Sequence, residues 1–177
     1  MNTVTGTILL VSGKSDQAKI IQAFQKRADE ESGRWNHSGI LLQTRNDIYV
    51  IEEAPIKDRK LKAASKPTLL SHYLNGNYEL LYLKPANLLD EKLFERVLMD
   101  HVAIPYDYFS LVHDQVIRTL QKVWVGKTRK ASRRMVCHEF SQYVWHVYSQ
   151  GVLFKDYFKG DVSAMYKSAY FTRSNTL

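Results

Sequence analysis

The sequence predicts an α+β fold, a small antiparallel or barrel-like sheet packed on helices, in one domain covering residues 1–177. Short apolar runs rich in β-branched residues, bounded by turn residues, are typical of buried strands. Longer runs in which apolar residues recur every three or four positions are typical of amphipathic helices. The chain contains both kinds of run and is long enough to bury a core of its own. We expect a core of about residues 5–151 and an aromatic-rich extension, 152–177.

The first part of the chain predicts three strands and a helix. Residues 5–11 (TGTILLV) read as a buried strand, and a helix capped by Ser15 or Asp16 follows and ends near residues 31–33. A second strand runs through 35–42, and an Asn-Asp turn leads into a third at 48–54. These two strands form a predicted antiparallel hairpin.

The middle of the chain predicts a loop, a short helix, a strand and a longer helix. Residues 55–66 are rich in Lys and Arg with little pattern, so we expect a loop there. A short helix is predicted for 67–74 and a strand for 78–84. Asp90 then starts a helix that ends before Ile104. Its predicted inner face consists of Leu93, Phe94, Val97, Leu98 and Val102.

The last third of the chain predicts two helices separated by a basic loop. The first helix covers 109–125, and the loop, 126–134, contains five Lys and Arg residues and no acid. A second helix begins at Cys137 and ends near Gly151, with apolar residues at helical spacing. The rings of the extension are expected to pack onto the body of the domain.

The composition narrows the classes of function. A net charge of +7 and a pI near 9.4 suggest acidic partners: nucleic acid, an anionic membrane surface or a negatively charged substrate. No nucleic-acid motif supports the first of these. One cysteine excludes an internal disulfide and a zinc knuckle, so we expect a reducing compartment and neither a metal nor another cofactor. The sequence has neither a signal peptide nor a membrane-spanning run, which predicts a cytoplasmic protein.

Three side-chain types suggest a catalytic site. Cys137 lies at the start of a predicted helix, where free backbone N–H groups and the helix dipole favour an anion such as a thiolate. A thiol nucleophile needs a base, and the base needs an orienting group. His37 stands at the entrance of a strand beside the small Gly39, and Glu52 or Glu53 on the next strand can accept its N–H. Because strand side chains alternate between faces, only one of the two glutamates can do so. A buried structural cysteine is the competing interpretation.

These residues occur in an order that resembles the circularly permuted papain-like hydrolases of the NlpC superfamily, and most of all their YiiX/YebB-like branch. The resemblance covers about residues 5–151. It depends on the segments TILLVSGKS (7–15), NHSGI (36–40), YVIEEA (49–54), PYDY (105–108) and VCHEF (136–140).

The resemblance implies a papain-like fold and a cysteine hydrolase of peptidase or amidase type. The nucleophile would be Cys137, the base His37, and the third member Glu52 or Glu53, with Glu52 slightly favoured. Tyr106 would line the substrate site, and His138 stands where the family has a small residue, which would alter substrate binding. Glu139 would make a structural hydrogen bond.

The substrate would be a small molecule, a peptide or a lipid, and the basic loop is a candidate for gripping an anionic one. Three other functions stay open: a catalytically silent binding module of the same fold, a thiol acyltransferase acting on lipid, and a nucleic-acid or anionic-membrane binder driven by the positive charge. The oligomeric state does not follow from the sequence.

Overall fold

The computed structural model describes residues 4–26, 29–53, 65–87, 90–102, 135–157 and 162–177. Its strands are β1 (Ile8–Gly13), β2 (His37–Gln43), β3 (Ile48–Glu53), β4 (Ser65–Leu69), β5 (Tyr78–Pro85) and β6 (Phe171–Ser174). Its helices are α1 (Asp16–Lys26), α2 (Glu91–Asp100), α3 (Cys137–Tyr148) and α4 (Val162–Tyr166), with 3₁₀ turns at Ser32–Arg34 and Leu70–His72. The fold of the described residues is therefore mixed α+β.

The strands form one antiparallel sheet of six strands, in the order β4-β3-β2-β1-β5-β6. The predicted hairpin is confirmed, with Leu41 paired with Val50 and Ile40 with Ile51. Alternate side chains of these strands enter separate buried clusters. Leu41 and Val50 belong to one, and Ile40 and Ile51 to the other.

Helix α3 covers the face of the sheet that carries Ile40 and Ile51. Its residues Phe140, Val144 and Trp145 are fully buried in the same cluster. Burial of an apolar side chain of this size stabilises the fold by about 1.5–3 kcal/mol. The Trp145 Nε1–H also donates to the Gly6 carbonyl oxygen at 3.2 Å. This packing fixes the first residue of α3, Cys137, against the sheet.

Gly39 allows β2 and β3 to approach closely beside the candidate site. A Cβ at this position would lie 2.4 Å from Val50 Cγ1, 3.1 Å from the Ile51 carbonyl oxygen and 3.2 Å from Glu52 Cβ. The sequence suggested that a small residue was needed here, and the close approach of the next strand gives the physical reason.

The sequence predictions for two segments were wrong. Residues 65–69 pair with β3 as strand β4 instead of forming a loop and the start of a helix, and only the 3₁₀ turn Leu70–His72 follows. In α2, Phe94 and Leu98 are fully buried as predicted, but Leu93 is 43% exposed. Residues Asp90 and Leu93 form the predicted cap, because the Asp90 carboxylate accepts from the Leu93 N–H at 3.0 Å.

The extension packs onto the body through elements that the sequence did not reveal. Strand β6 pairs with β5, and Phe171 is buried in the same cluster as Trp145. Within the part of the chain that the structure describes, no helix has the length and apolar character needed to cross a bilayer. The predicted helix 109–125, the basic loop 126–134 and Tyr106 lie outside the described residues.

Candidate active site

His37 is the first residue of β2, and the strand pairing fixes its backbone. It lies opposite Val11 of β1, and the preceding Asn36 N–H donates to the Val11 carbonyl oxygen at 3.0 Å. The Asn36 Oδ1 accepts from the Gly13 N–H at 2.7 Å and from Gln22 Nε2 at 3.1 Å. The entrance of β2 is thereby held between the end of β1 and helix α1, and the imidazole is 19% exposed.

Glu52 supplies the partner of this imidazole. The His37 Nε2–H donates to Glu52 Oε2 in a close ion-pair geometry. The same carboxylate accepts from the Thr68 hydroxyl at 2.6 Å through Oε1 and from the Tyr73 hydroxyl through Oε2. Glu52 is only 3% exposed, so a buried carboxylate with three donors orients the imidazole.

Cys137 reaches the imidazole from the third element of the site. It is the first residue of α3, is 6% exposed, and its sulfur lies close enough to the His37 ring to interact with it electrostatically. The Glu139 carboxylate accepts from the Val136 N–H at 3.1 Å and caps the helix, which is the structural hydrogen bond that the sequence predicts. As the first helical residue, Cys137 has a backbone N–H without an intrahelical acceptor.

The surroundings of His37 and Glu52 shift the pKa values of these two side chains in opposite directions. Burial disfavours the imidazolium, but the Cys137 sulfur and the Glu52 carboxylate outweigh it and raise the pKa of His37 to about 10. Burial would also raise the pKa of Glu52, yet the hydrogen bond and positive charge of His37, with the two hydroxyls, lower it below its ordinary value. Burial and the Glu52 carboxylate raise the pKa of Tyr73, so its hydroxyl remains a donor.

A second polar group lies between β2 and α3. The Ser38 Oγ lies 3.0 Å from His138 Nδ1 and 3.0 Å from Ser141 Oγ, and all three residues are buried. We call these three residues the buried polar cluster. Glu53 is fully buried and, by the alternation along β3, points to the face opposite Glu52.

The structure brings Cys137, His37 and Glu52 together and directs Glu53 away from His37. His138 is 3% exposed and contacts Ser38, and its substrate-binding role stays a prediction. The same holds for Tyr106, which lies outside the described residues. Sequence reasoning missed Thr68 and Tyr73 because it interpreted their segment as a helix. A β-branched Thr beside a Pro was the signal for an edge strand there.

Comparisons with known proteins give a similarity of fold. No family model matches the chain, and no curated protein matches it in sequence. The chain is similar to a crystal structure of the metalloprotein YiiX (DUF1105) from Escherichia coli O157:H7, with a TM-score of 0.61 and 16% identity. The similarity covers 98% of this chain and 97% of that one. The chain has a YiiX-like fold.

The description of that neighbour as a metalloprotein applies to that protein. Among the described residues of this chain, no group of three or more His, Cys, Asp and Glu side chains is arranged to hold a metal ion.

Proposed function

We propose that the chain is a cysteine hydrolase that cleaves an amide or ester bond through Cys137, His37 and Glu52. The observation that carries this proposal is the position of the His37 ring, which is hydrogen-bonded to a buried carboxylate and lies close to a sulfur at a helix N-terminus. Nucleophile, base and orienting group are the parts that a thiol acyl-transfer reaction requires. They come from α3, β2 and β3, so tertiary packing creates the combination.

In the proposed reaction, the Cys137 sulfur attacks the carbonyl carbon and forms a carbon–sulfur bond. The backbone N–H of Cys137 donates to the resulting oxyanion. As the carbon–nitrogen or carbon–oxygen bond breaks, the His37 imidazolium gives its proton to the leaving amine or alcohol. A water molecule then attacks the thioester as His37 takes its proton, the carbon–sulfur bond breaks, the acid leaves, and the sulfur departs as a thiolate beside the restored imidazolium. Glu52 stabilises the imidazolium before acylation and as it forms again.

We place the chain, as part of this proposal, among the permuted papain-like hydrolases of the NlpC superfamily. The support is the order of the parts, since the helix that bears the nucleophile follows the strands that bear the base and the carboxylate. The YiiX-like fold is consistent with the branch that the sequence resembles. The substrate class, whether peptide, small amide or lipid ester, is open within this proposal, and the positive charge of the chain favours an anionic one.

The first test measures the reaction of the thiol. Cys137 is the single cysteine of the chain, so all alkylation by iodoacetamide, a small neutral reagent, reports on it. Between pH 5 and 9 we expect wild-type protein to react faster than glutathione at the acidic end, because the His37 imidazolium stabilises the thiolate. His37→Ala should remove this advantage, while His72→Ala, which removes an exposed imidazole, should keep it.

The second test measures acyl transfer. With p-nitrophenyl acetate we expect an initial burst of nitrophenolate that Cys137→Ser removes, followed by steady turnover. A thiol that behaves like glutathione at every pH, together with the absence of a burst, would overturn the hydrolase. The silent binding module of the same fold would then be favoured. A burst whose acyl group passes to an added alcohol instead of water would favour the acyltransferase.

A further inference from the structure

The carboxylate of Glu52 accepts more hydrogen bonds than orienting an imidazole requires. Its Oε2 accepts from His37 and Tyr73, and its Oε1 accepts from Thr68 at 2.6 Å. An ionised carboxylate can only accept hydrogen bonds, whereas a protonated one must donate its own proton. Two hydroxyls directed at a buried carboxylate therefore favour the ionised state and leave little freedom for the side chain to rotate.

Both hydroxyls are held in place by structure of their own. Thr68 lies in β4, opposite Val50 in the ladder with β3, so strand pairing sets its position beside Glu52. Tyr73 is 7% exposed, and its backbone N–H donates to the Leu70 carbonyl oxygen at 2.9 Å. The Tyr73 ring packs edge-on against Tyr78, with ring centroids 5.1 Å apart. Neither hydroxyl has to be ordered at the moment of reaction.

We propose that Tyr73 and Thr68 are positioning residues that hold Glu52 ionised and aim its Oε2 at His37. We call the two hydroxyls and the carboxylate the carboxylate clamp. The role of the clamp in catalysis rests on the proposed function, because Tyr73 and Thr68 act only through Glu52. The clamp itself does not rest on the proposed function, because it concerns only the protonation state of Glu52 and the two hydroxyls that keep its carboxylate ionised.

The test follows the Glu52 carboxyl carbon by carbon-13 NMR as the pH is lowered, with Glu52→Gln to assign the signal. A hydrogen bond to a charged group favours the charged form, so its loss makes the carboxylate easier to protonate. We expect Tyr73→Phe and Thr68→Val each to raise the titration midpoint of Glu52 by about one pH unit. Thr68→Ser, which keeps the hydroxyl, should restore the wild-type midpoint.

Tyr78→Phe is the matched control, since it removes a hydroxyl from the ring that touches Tyr73. It should leave the Glu52 midpoint unchanged. If Tyr73→Phe moves the midpoint no further than Tyr78→Phe, and Thr68→Val no further than Thr68→Ser, the clamp is overturned. Should Tyr73→Phe fail to fold, the Thr68 pair decides the question by itself, because Val and Thr have nearly the same shape.

Alkylation by iodoacetamide connects the clamp to the candidate site. Tyr73→Phe should slow the reaction of Cys137 by about three- to tenfold in wild type and leave it unchanged when Glu52 is already Gln. A slowing that persists without the carboxylate would contradict action through Glu52. The hydrolase proposal and the clamp proposal can fail separately. If the nitrophenolate burst is missing but the Glu52 midpoints shift, only the hydrolase is refuted. If the burst is normal but the midpoints do not shift, only the clamp is refuted.

Discussion

Two polar groups lie on either side of the same pair of strands, and neighbouring residues are divided between them. His37, Glu52 and Cys137 form the candidate site, with a charged imidazole between a sulfur and a carboxylate. The residues that follow them in sequence, Ser38, Glu53 and His138, are all buried away from it. Ser38 and His138 belong to the buried polar cluster, which joins β2 to α3.

The two polar groups differ in the partners of their imidazole rings. His37 lies between a carboxylate that accepts its N–H and a sulfur, so a charge on the imidazole has a partner on each side. The Nδ1 of His138 contacts the Ser38 hydroxyl, which is buried in the helix–sheet interface. Residue type alone does not separate the two histidines. The alternation of side chains along a strand and the angle between successive residues of a helix separate them, because these determine which of two adjacent residues points to the candidate site and which to the buried polar cluster.

Exchanging the two glutamates for their amides should give the largest difference between the groups. Glu52→Gln keeps the shape of the side chain but removes the charge that stabilises the His37 imidazolium. We expect the acylation rate with p-nitrophenyl acetate to fall on the order of 10²- to 10⁴-fold. Glu53→Gln, on the opposite face of β3, should stay within about threefold of wild type. Equal losses in the two variants would show that the side of the strand does not determine the role.

Adding a methyl group at Gly39 should disturb the candidate site through the backbone. The new Cβ would lie 2.4 Å from Val50 Cγ1 and 3.2 Å from Glu52 Cβ, so β3 or its side chains must shift. We expect Gly39→Ala to lower the free energy of unfolding by about 1–3 kcal/mol and to slow alkylation of Cys137.

Gly13→Ala is the matched control for this change, because its nearest contact would be the Ala18 side chain at 3.3 Å. Urea unfolding of both variants checks the prediction. Wild-type stability in Gly39→Ala would mean that the strands have room that the structure does not show.

Much of the candidate site could be predicted because local signals lie at each of its parts. Cys137 begins a helix, His37 begins a strand, and Glu52 is the last residue but one of another strand. These are the positions at which a strand or helix presents a side chain to another element. The choice between Glu52 and Glu53 could not be made from the sequence, since it depends on the register of β3 against β2.

The parts that sequence reasoning missed depend on pairing over long distances. Strand β4 is short and contains Pro67, so its local pattern is weak, and only its ladder with β3 makes it a strand. Strand β6 exists through its pairing with β5, which is separated from it by nearly half of the chain. The sequence pattern therefore did not identify Thr68 and Tyr73 as partners of Glu52, although both carry a hydroxyl that can donate a hydrogen bond.

The charge of His37 should make stability depend on pH on the alkaline side. Its pKa is raised from 6.5 to about 10 in the fold, so the imidazolium contributes stability that is complete below pH 6.5. This contribution is lost as the pH rises from 6.5 through about 10. We expect the stability advantage of wild type over His37→Gln to shrink by about 2–4 kcal/mol across this interval.

Urea unfolding at several pH values between 6 and 10 measures this advantage, with His72→Gln as the control for losing an exposed imidazole. Ser141→Ala, in the buried polar cluster, keeps His37 and its two partners, so its stability should run parallel to that of wild type. An advantage that stays constant up to pH 10 would show that the sulfur and the carboxylate do not hold the proton on His37.

The smallest effect should come from the buried polar cluster. Ser141→Ala removes a hydroxyl 3.0 Å from the Ser38 Oγ in a fully buried position. Because His138 Nδ1 still contacts Ser38, no buried hydroxyl loses every partner, and we expect a loss of about 1 kcal/mol in the free energy of unfolding. The alkylation profile of Cys137 should not change, although Ser141 lies one helical turn from it on α3. A shifted alkylation profile in a stable Ser141→Ala protein would mean that the two polar groups are coupled through α3. Neighbouring residues would then be separated in space without acting independently.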